Sequence, residues 1–152
     1  MNIGIVGARK YQNRQAVITL VNALNAQDTI ITSKCRGVCS WTIEASAERN
    51  MKVEIYAPDL TAVRSWFDVP KTYYQRNRQL VDACDVLYAF TSNEGLVGGT
   101  LFEVAYGVKL GIPVQIRRED GSHQMIYQSK FPFMNPPAFL DNWQSFFRQA
   151  LS

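Results

Sequence analysis

Five short runs of mostly apolar residues divide the chain: Asn2–Val6, Thr29–Thr32, Lys52–Tyr56, Asp85–Phe90 and Ile112–Ile116. They are apolar nearly throughout rather than alternating, as strands covered on both faces are. Between them, apolar residues recur at helical spacing. Val17, Leu20, Val21 and Leu24 form one stripe. Tyr73, Asn77, Leu80, Val81 and Cys84 form another, and Leu101, Val104, Ala105 and Val108 a third. A helix over roughly Val38–Asn50 is less periodic. A last one, over roughly Ala138–Leu151, carries Leu140, Trp143, Phe147 and Ala150.

Strands that alternate with helices predict an α/β fold, a Rossmann-like three-layer sandwich with a mainly parallel sheet of about five strands. Right-handed crossovers favour the order 3-2-1-4-5. The length of 152 residues fits one domain spanning 1–152. Ligands of such sheets sit beyond the carboxyl ends of the strands, near the switch between strands 1 and 4. The loops that follow strands are therefore the ones to read: Gly7–Gln12, Ser33–Gly37, Ala57–Lys71, Thr91–Gly99 and Arg117–Pro137. The last holds Gly121 and three prolines, and reads as a lid, a subunit contact or a plain surface loop.

Composition narrows the class. A net charge of +3 suits anionic small molecules and is too weak to argue for nucleic acid. No apolar run is long enough to span a membrane. The N-terminal residues read as a strand rather than a signal peptide, so the expected location is cytoplasmic, with reduced thiols. Cys35 and Cys39 lack a second cysteine pair, and His123 is the sole histidine. Ligand count thus argues against structural zinc, and the cysteines read as small buried or semi-buried residues.

The segment Gly98-Gly99-Thr100-Leu101-Phe102-Glu103 follows an apolar strand and opens a helical stripe ending near Lys109. Free N–H groups at a helix start, with the helix dipole behind them, favour a phosphate. Glu103 lies about one turn further in, where a carboxylate acts on what the phosphate carries. Thr100-x-x-Glu103 equally matches a capping box, in which Glu103 closes the helix start.

Three other elements point to the same sheet edge. Gly7-Ala8-Arg9 ends strand 1, with a glycine for close approach and a cation for a phosphate or ribose. Ser33 and Lys34 follow strand 2 in a basic turn. Asn77 falls on an apolar stripe, near the N-terminal end of its helix, where a buried amide needs partners. Arg76 beside it offers a planar fork for phosphate, or faces solvent.

Gly7-Ala8-Arg9, Ala57-Pro58-Asp59, Arg76-Asn77 and Gly98-Gly99-Thr100, in this order and spacing, resemble the SLOG superfamily over about Asn2 to Ile116. That Rossmann-like group includes the lonely-guy phosphoribohydrolases, the molybdenum cofactor carriers and the Rossmann part of the DNA-processing protein A family. The lonely-guy branch carries P-G-G-x-G-T-x-x-E and an upstream arginine. This chain keeps Gly99, Thr100 and Glu103 in register but has Gly95-Leu96-Val97 before them. Its Ser33–Ser40 loop also departs from the glycine-rich, acid-ended loop of many relatives.

The resemblance implies Arg76 and Glu103 as a catalytic pair that splits a nucleoside monophosphate into base and ribose 5-phosphate. Position at the same sheet edge, together with the resemblance, marks Gly7, Ala8, Arg9, Asn77, Gly98, Gly99 and Thr100 as substrate and phosphate contacts, and position alone adds Ser33 and Lys34. No cofactor or metal is implied. The alternative is a non-catalytic binder of a nucleotide, a nucleotide-derived signal or a nucleotide-containing cofactor. Relatives are commonly oligomers, and the aromatic-rich end (Phe131, Phe133, Phe139, Trp143, Phe146, Phe147) predicts a homo-oligomer.

Overall fold

A computed structural model describes residues 1–61 and 63–126. In chain order the elements are β1 (Asn2–Gly7), α1 (Arg14–Ala23), β2 (Thr29–Ser33), α2 (Val38–Glu48), β3 (Lys52–Tyr56), α3 (Asp68–Asp82), β4 (Val86–Thr91), α4 (Gly98–Leu110), β5 (Val114–Arg118) and β6 (His123–Ile126). They form an α/β sandwich around one sheet of order β3-β2-β1-β4-β5-β6. β1 to β5 run parallel and β6 is antiparallel at the edge. The expected order 3-2-1-4-5 is present, with one strand added.

The two faces of the sheet explain the continuous apolar runs. Ile3, Ile5, Ile30 and Phe90 pack with Val17, Leu20 and Val21 of α1 and Val38 and Ala45 of α2. Val6, Ile31, Leu87, Ala89, Val114 and Ile116 pack with Leu80 and Val81 of α3 and Val104 of α4. Successive strand residues point to opposite faces, and here both faces are covered. The edge strand β3 is different: Lys52 and Ile55 are exposed, so its face is half open.

Several boundaries differ from the sequence expectation. The segment after β5 is no simple loop. Arg118 N–H donates to the Ser122 carbonyl and Gly121 N–H to the Arg118 carbonyl, and Gly121 takes φ +88°. That turn folds His123–Ile126 back onto β5. Of these four residues only Ile126 is buried, so no apolar run announces the strand. β5 itself begins at Val114 rather than Ile112. Gly111 caps α4 in the left-handed region at φ +80°, and Ile112 N–H closes onto the Gly107 carbonyl. α3 starts at Asp68, inside the expected Ala57–Lys71 loop, because Pro70 is tolerated in a first helical turn. Asn77 is accordingly the tenth residue of α3, beyond its middle rather than near its N-terminal end. The helix expected over Ala138–Leu151 and the aromatic-rich end lie outside the described residues.

Among the described residues, no helix is long and apolar enough to cross a membrane.

The close approach of α2 to β1 depends on Gly7. A Cβ there would meet Val38 Cγ2 at 2.5 Å and Val38 Cβ at 2.7 Å. Val38 is the first residue of α2 and fully buried, so it has little room to give. Gly7→Ala is expected to cost about 1–3 kcal/mol by overpacking. Adding Val38→Ala should recover part of the loss. Thermal melts of the single and double variants check this; a Gly7→Ala melting point equal to the parent's refutes the packing argument.

Candidate functional site

At the carboxyl ends of β1, β2 and β4, beside the β1–β4 switch, lies a cleft of about 620 Å³. Its walls come from the loops after those strands, from α3 and from the start of α4. Gly7, Ala8, Arg9, Ser33, Arg76, Asn77, Gly98, Gly99, Thr100 and Glu103 all line it. Lys34 does not. It lines an adjoining cavity of about 620 Å³ with Arg36 and Pro58, which shares Arg9, Cys35, Tyr73 and Arg76 with the first. Ala8 forms wall only, because its N–H donates to the Phe90 carbonyl at 3.0 Å and is not free for a ligand.

The start of α4 opens on two glycines. Ser92 and Gly95 form a bridged turn, with Gly95 N–H on the Ser92 carbonyl at 2.9 Å. Val97 is extended and Gly98 takes φ +56°, a left-handed entry that glycine allows. No side chain caps the helix. The N–H groups of Gly98, Gly99 and Thr100 lie in the first turn, where a helix offers no internal acceptor, and they line the cleft. The capping-box reading is thereby corrected. The N-cap is Val97, which makes Thr100 the third helical residue and Glu103 the sixth. Glu103 is too far along the helix to fold back on its start, and points into the interior instead.

Arg76 and Asn77 hold each other. Arg76 Nε donates to Asn77 Oδ1 at 2.7 Å, and the guanidinium lies 5.6 Å from the Tyr73 ring centre. The Asn77 Nδ2 stands where a Cβ on Gly99 would come within 3.2 Å of it. The amide of Asn77 thus sits between the arginine and the glycine start of α4. Both residues are buried, which corrects the solvent-facing reading of Arg76.

The electrostatics follow from burial. Arg76 is 5 % exposed and has no carboxylate at ion-pair distance among the described residues. Glu103 is 6 % exposed and accepts no hydrogen bond among them. Burial pushes the Glu103 carboxyl up to about 8, and the charge on Cys35 adds to the rise while Arg76 opposes it. Glu103 is therefore protonated at neutral pH in the open cleft.

Residues that sequence reasoning passed over complete the site. Cys35 and Cys39, half-buried and buried as expected, both line the cleft. Their four-residue spacing across a strand-end turn and a helix start was the available signal. Ser92 Oγ is buried at the cleft without a hydrogen-bond partner among the described residues. Lys10 Nζ meets Glu94 Oε1 at 3.0 Å across the rim, tying the β1 loop to the β4 loop.

No known family model and no curated protein matches the chain.

Glu103 has a consequence for stability. Its folded value of about 8 exceeds the ordinary 4.5, so the folded state holds the proton more tightly. The stability this group contributes is complete below about pH 4.5 and is lost as pH rises to about 8, at roughly 1.4 kcal/mol per pH unit. Glu103→Gln keeps the neutral shape at every pH. Its melting point should equal the parent's near pH 4.5 and exceed it by several degrees at pH 8. Calorimetry across that range tests the assignment; a pH-independent difference refutes it.

Proposed function

We propose that the protein is a nucleotide N-glycosidase, which releases the base from a nucleoside monophosphate or a related nucleotide. The observation that carries this reading is the pairing of an uncapped glycine helix start with a buried carboxyl, without a hydrogen bond among the described residues, about one turn beyond Thr100. One turn is about 5 Å, comparable with the span from a 5′-phosphate to C1′ of its ribose. The SLOG resemblance supports the same assignment of Arg76 and Glu103.

In this reading the phosphate rests on the N–H groups of Gly98, Gly99 and Thr100, and Arg76 and Arg9 neutralise it. Asn77 positions Arg76. Glu103 enters the reaction protonated and gives its proton to the departing base as the bond to C1′ breaks. The carboxylate so formed faces the positive charge growing on C1′, then takes a proton from the attacking water. This is the logic of cleavage through an oxocarbenium-like state with a burial-raised acid.

Incubation with a panel of nucleoside monophosphates should yield free base and ribose 5-phosphate, read by chromatography. Glu103→Gln should lower kcat about a hundred- to ten-thousand-fold while nucleotide still binds. Because the acid form is required, kcat/KM should fall above about pH 8. Nucleotides recovered intact throughout the panel overturn the hydrolytic reading.

A second reading has its own observation. Arg9, Lys34, Arg36 and Arg76 line the adjoining cavity, with no carboxylate among the described residues that line it. That lobe suits a nucleotide with more phosphate than a monophosphate, held without turnover. Calorimetry on Glu103→Gln distinguishes the two. A nucleoside diphosphate that binds about tenfold or more tightly than its monophosphate, with no base release by the parent protein, favours the binder; equal affinity removes it.

A further inference from the structure

Cys35 lies on the turn between β2 and α2 and lines both cavities. Cys39, the second residue of α2, is 2 % exposed beneath it. The two cysteines stand four residues apart across the turn into α2 and line the same cleft, as do Ser33 and Arg76. Ser33 Oγ donates to Cys39 Sγ at 3.2 Å. The hydrogen bond from Cys39, helped by Ser33 and Arg76, holds Cys35 well below the usual thiol range. The same contact, together with burial, pushes Cys39 up. The outer, half-buried thiol is thus shifted toward ionisation and lines the cleft, while the buried inner one is shifted toward its protonated form. Glu103, nine-tenths buried and without a hydrogen bond among the described residues, faces the same space. The third cysteine has none of this: Cys84 donates to the Leu80 carbonyl at 3.1 Å, and burial pushes it up to about 12.

We propose that Cys35 is a peroxide-reactive thiol on the wall of the nucleotide cleft, and that Cys39 resolves it into a disulfide. Only the ligand arm of the test rests on the proposed function. The Cys35 thiolate attacks one oxygen of a hydroperoxide, an S–O bond forms and the O–O bond breaks. The departing oxygen takes a proton and leaves as water or alcohol, and Cys35 becomes a sulfenic acid. The Cys39 thiol then attacks that sulfur: the S–S bond forms, the S–O bond breaks, and the hydroxide leaves as water with the Cys39 proton. The thiol pair loses two electrons and the peroxide gains them. The product ties the Ser33–Gly37 turn to the first turn of α2 and removes the thiolate that helps keep Glu103 protonated. Oxidation and the nucleotide site are thereby coupled.

The test uses the full chain, reduced and then treated with hydrogen peroxide. Intact mass and peptide mapping should show loss of two hydrogen atoms and a Cys35–Cys39 bridge, with Cys84 unmodified. Cys39→Ser should stop at a Cys35 sulfenic acid that a cyclic diketone traps, and Cys35→Ser should abolish the reaction. Alkylation of Cys35 by iodoacetamide at pH 6 should run at least about tenfold faster than that of a free thiol such as glutathione. Absence of the bridge, or oxidation that persists in Cys35→Ser, overturns the proposal. In the ligand arm, nucleoside monophosphates at saturating concentration should shield Cys35 from iodoacetamide. Bridge formation with no shielding by any of them supports the thiol pair and overturns the nucleotide reading instead.

Discussion

Arg76 carries a permanent charge into a place nearly closed to water, without a carboxylate at ion-pair distance among the described residues. A buried guanidinium in that position is costly unless other groups compensate it. Here the compensation is partial and specific. The Asn77 oxygen takes the Nε proton, the Tyr73 ring lies against the plane, and the Cys35 sulfur and Glu103 carboxyl lie within its field. Each of these groups also lines the cleft. In the proposed function, an anion in the cleft adds to this compensation of the buried guanidinium.

The sheet makes this constraint affordable. β1 and β4 lie side by side at the reversal of strand order, so the loops after them diverge and leave a crevice. α2 closes on β1 at Gly7, and α4 starts at Gly98 from an extended Val97. The hydrophobic layers on both faces hold these helices against the sheet. The polar site is thus confined to one edge, where its electrostatic cost does not disturb the core.

Much of this was legible in the sequence because it depends on local patterns. Continuous apolar runs announce two-sided burial, and β1, β2 and β4 have them. Gly98-Gly99-Thr100 declares a helix start, and Asn77 on an apolar stripe declares a buried amide with work to do. β6 was not legible, because its pairing is held by a polar turn and only Ile126 enters the core. The role of Glu103 was ambiguous for a different reason. The spacing from Thr100 fits a cap whatever the helix does, and only the true start at Gly98 excludes one. Cys35 is half-buried, as its small size led one to expect, but its place on the cleft wall beside Arg76 was not legible, because Arg76 is distant in sequence and joins it only through the fold.

Proton and anion are linked in this cleft. The open site keeps Glu103 protonated by burial, with Arg76 pulling the other way. A phosphate on the start of α4 adds negative charge near the carboxyl and engages the guanidinium, and both effects favour the protonated form further. In the proposed reaction that is the form required at the moment of base departure. Once the proton is given up, the carboxylate is left in a low-dielectric pocket, where its attraction for a cationic ribose is at its strongest. In the proposed reaction, burial without a hydrogen bond among the described residues keeps Glu103 protonated until the base departs and leaves it an unshielded anion afterwards. There the uncapped helix start would leave its N–H groups to the phosphate.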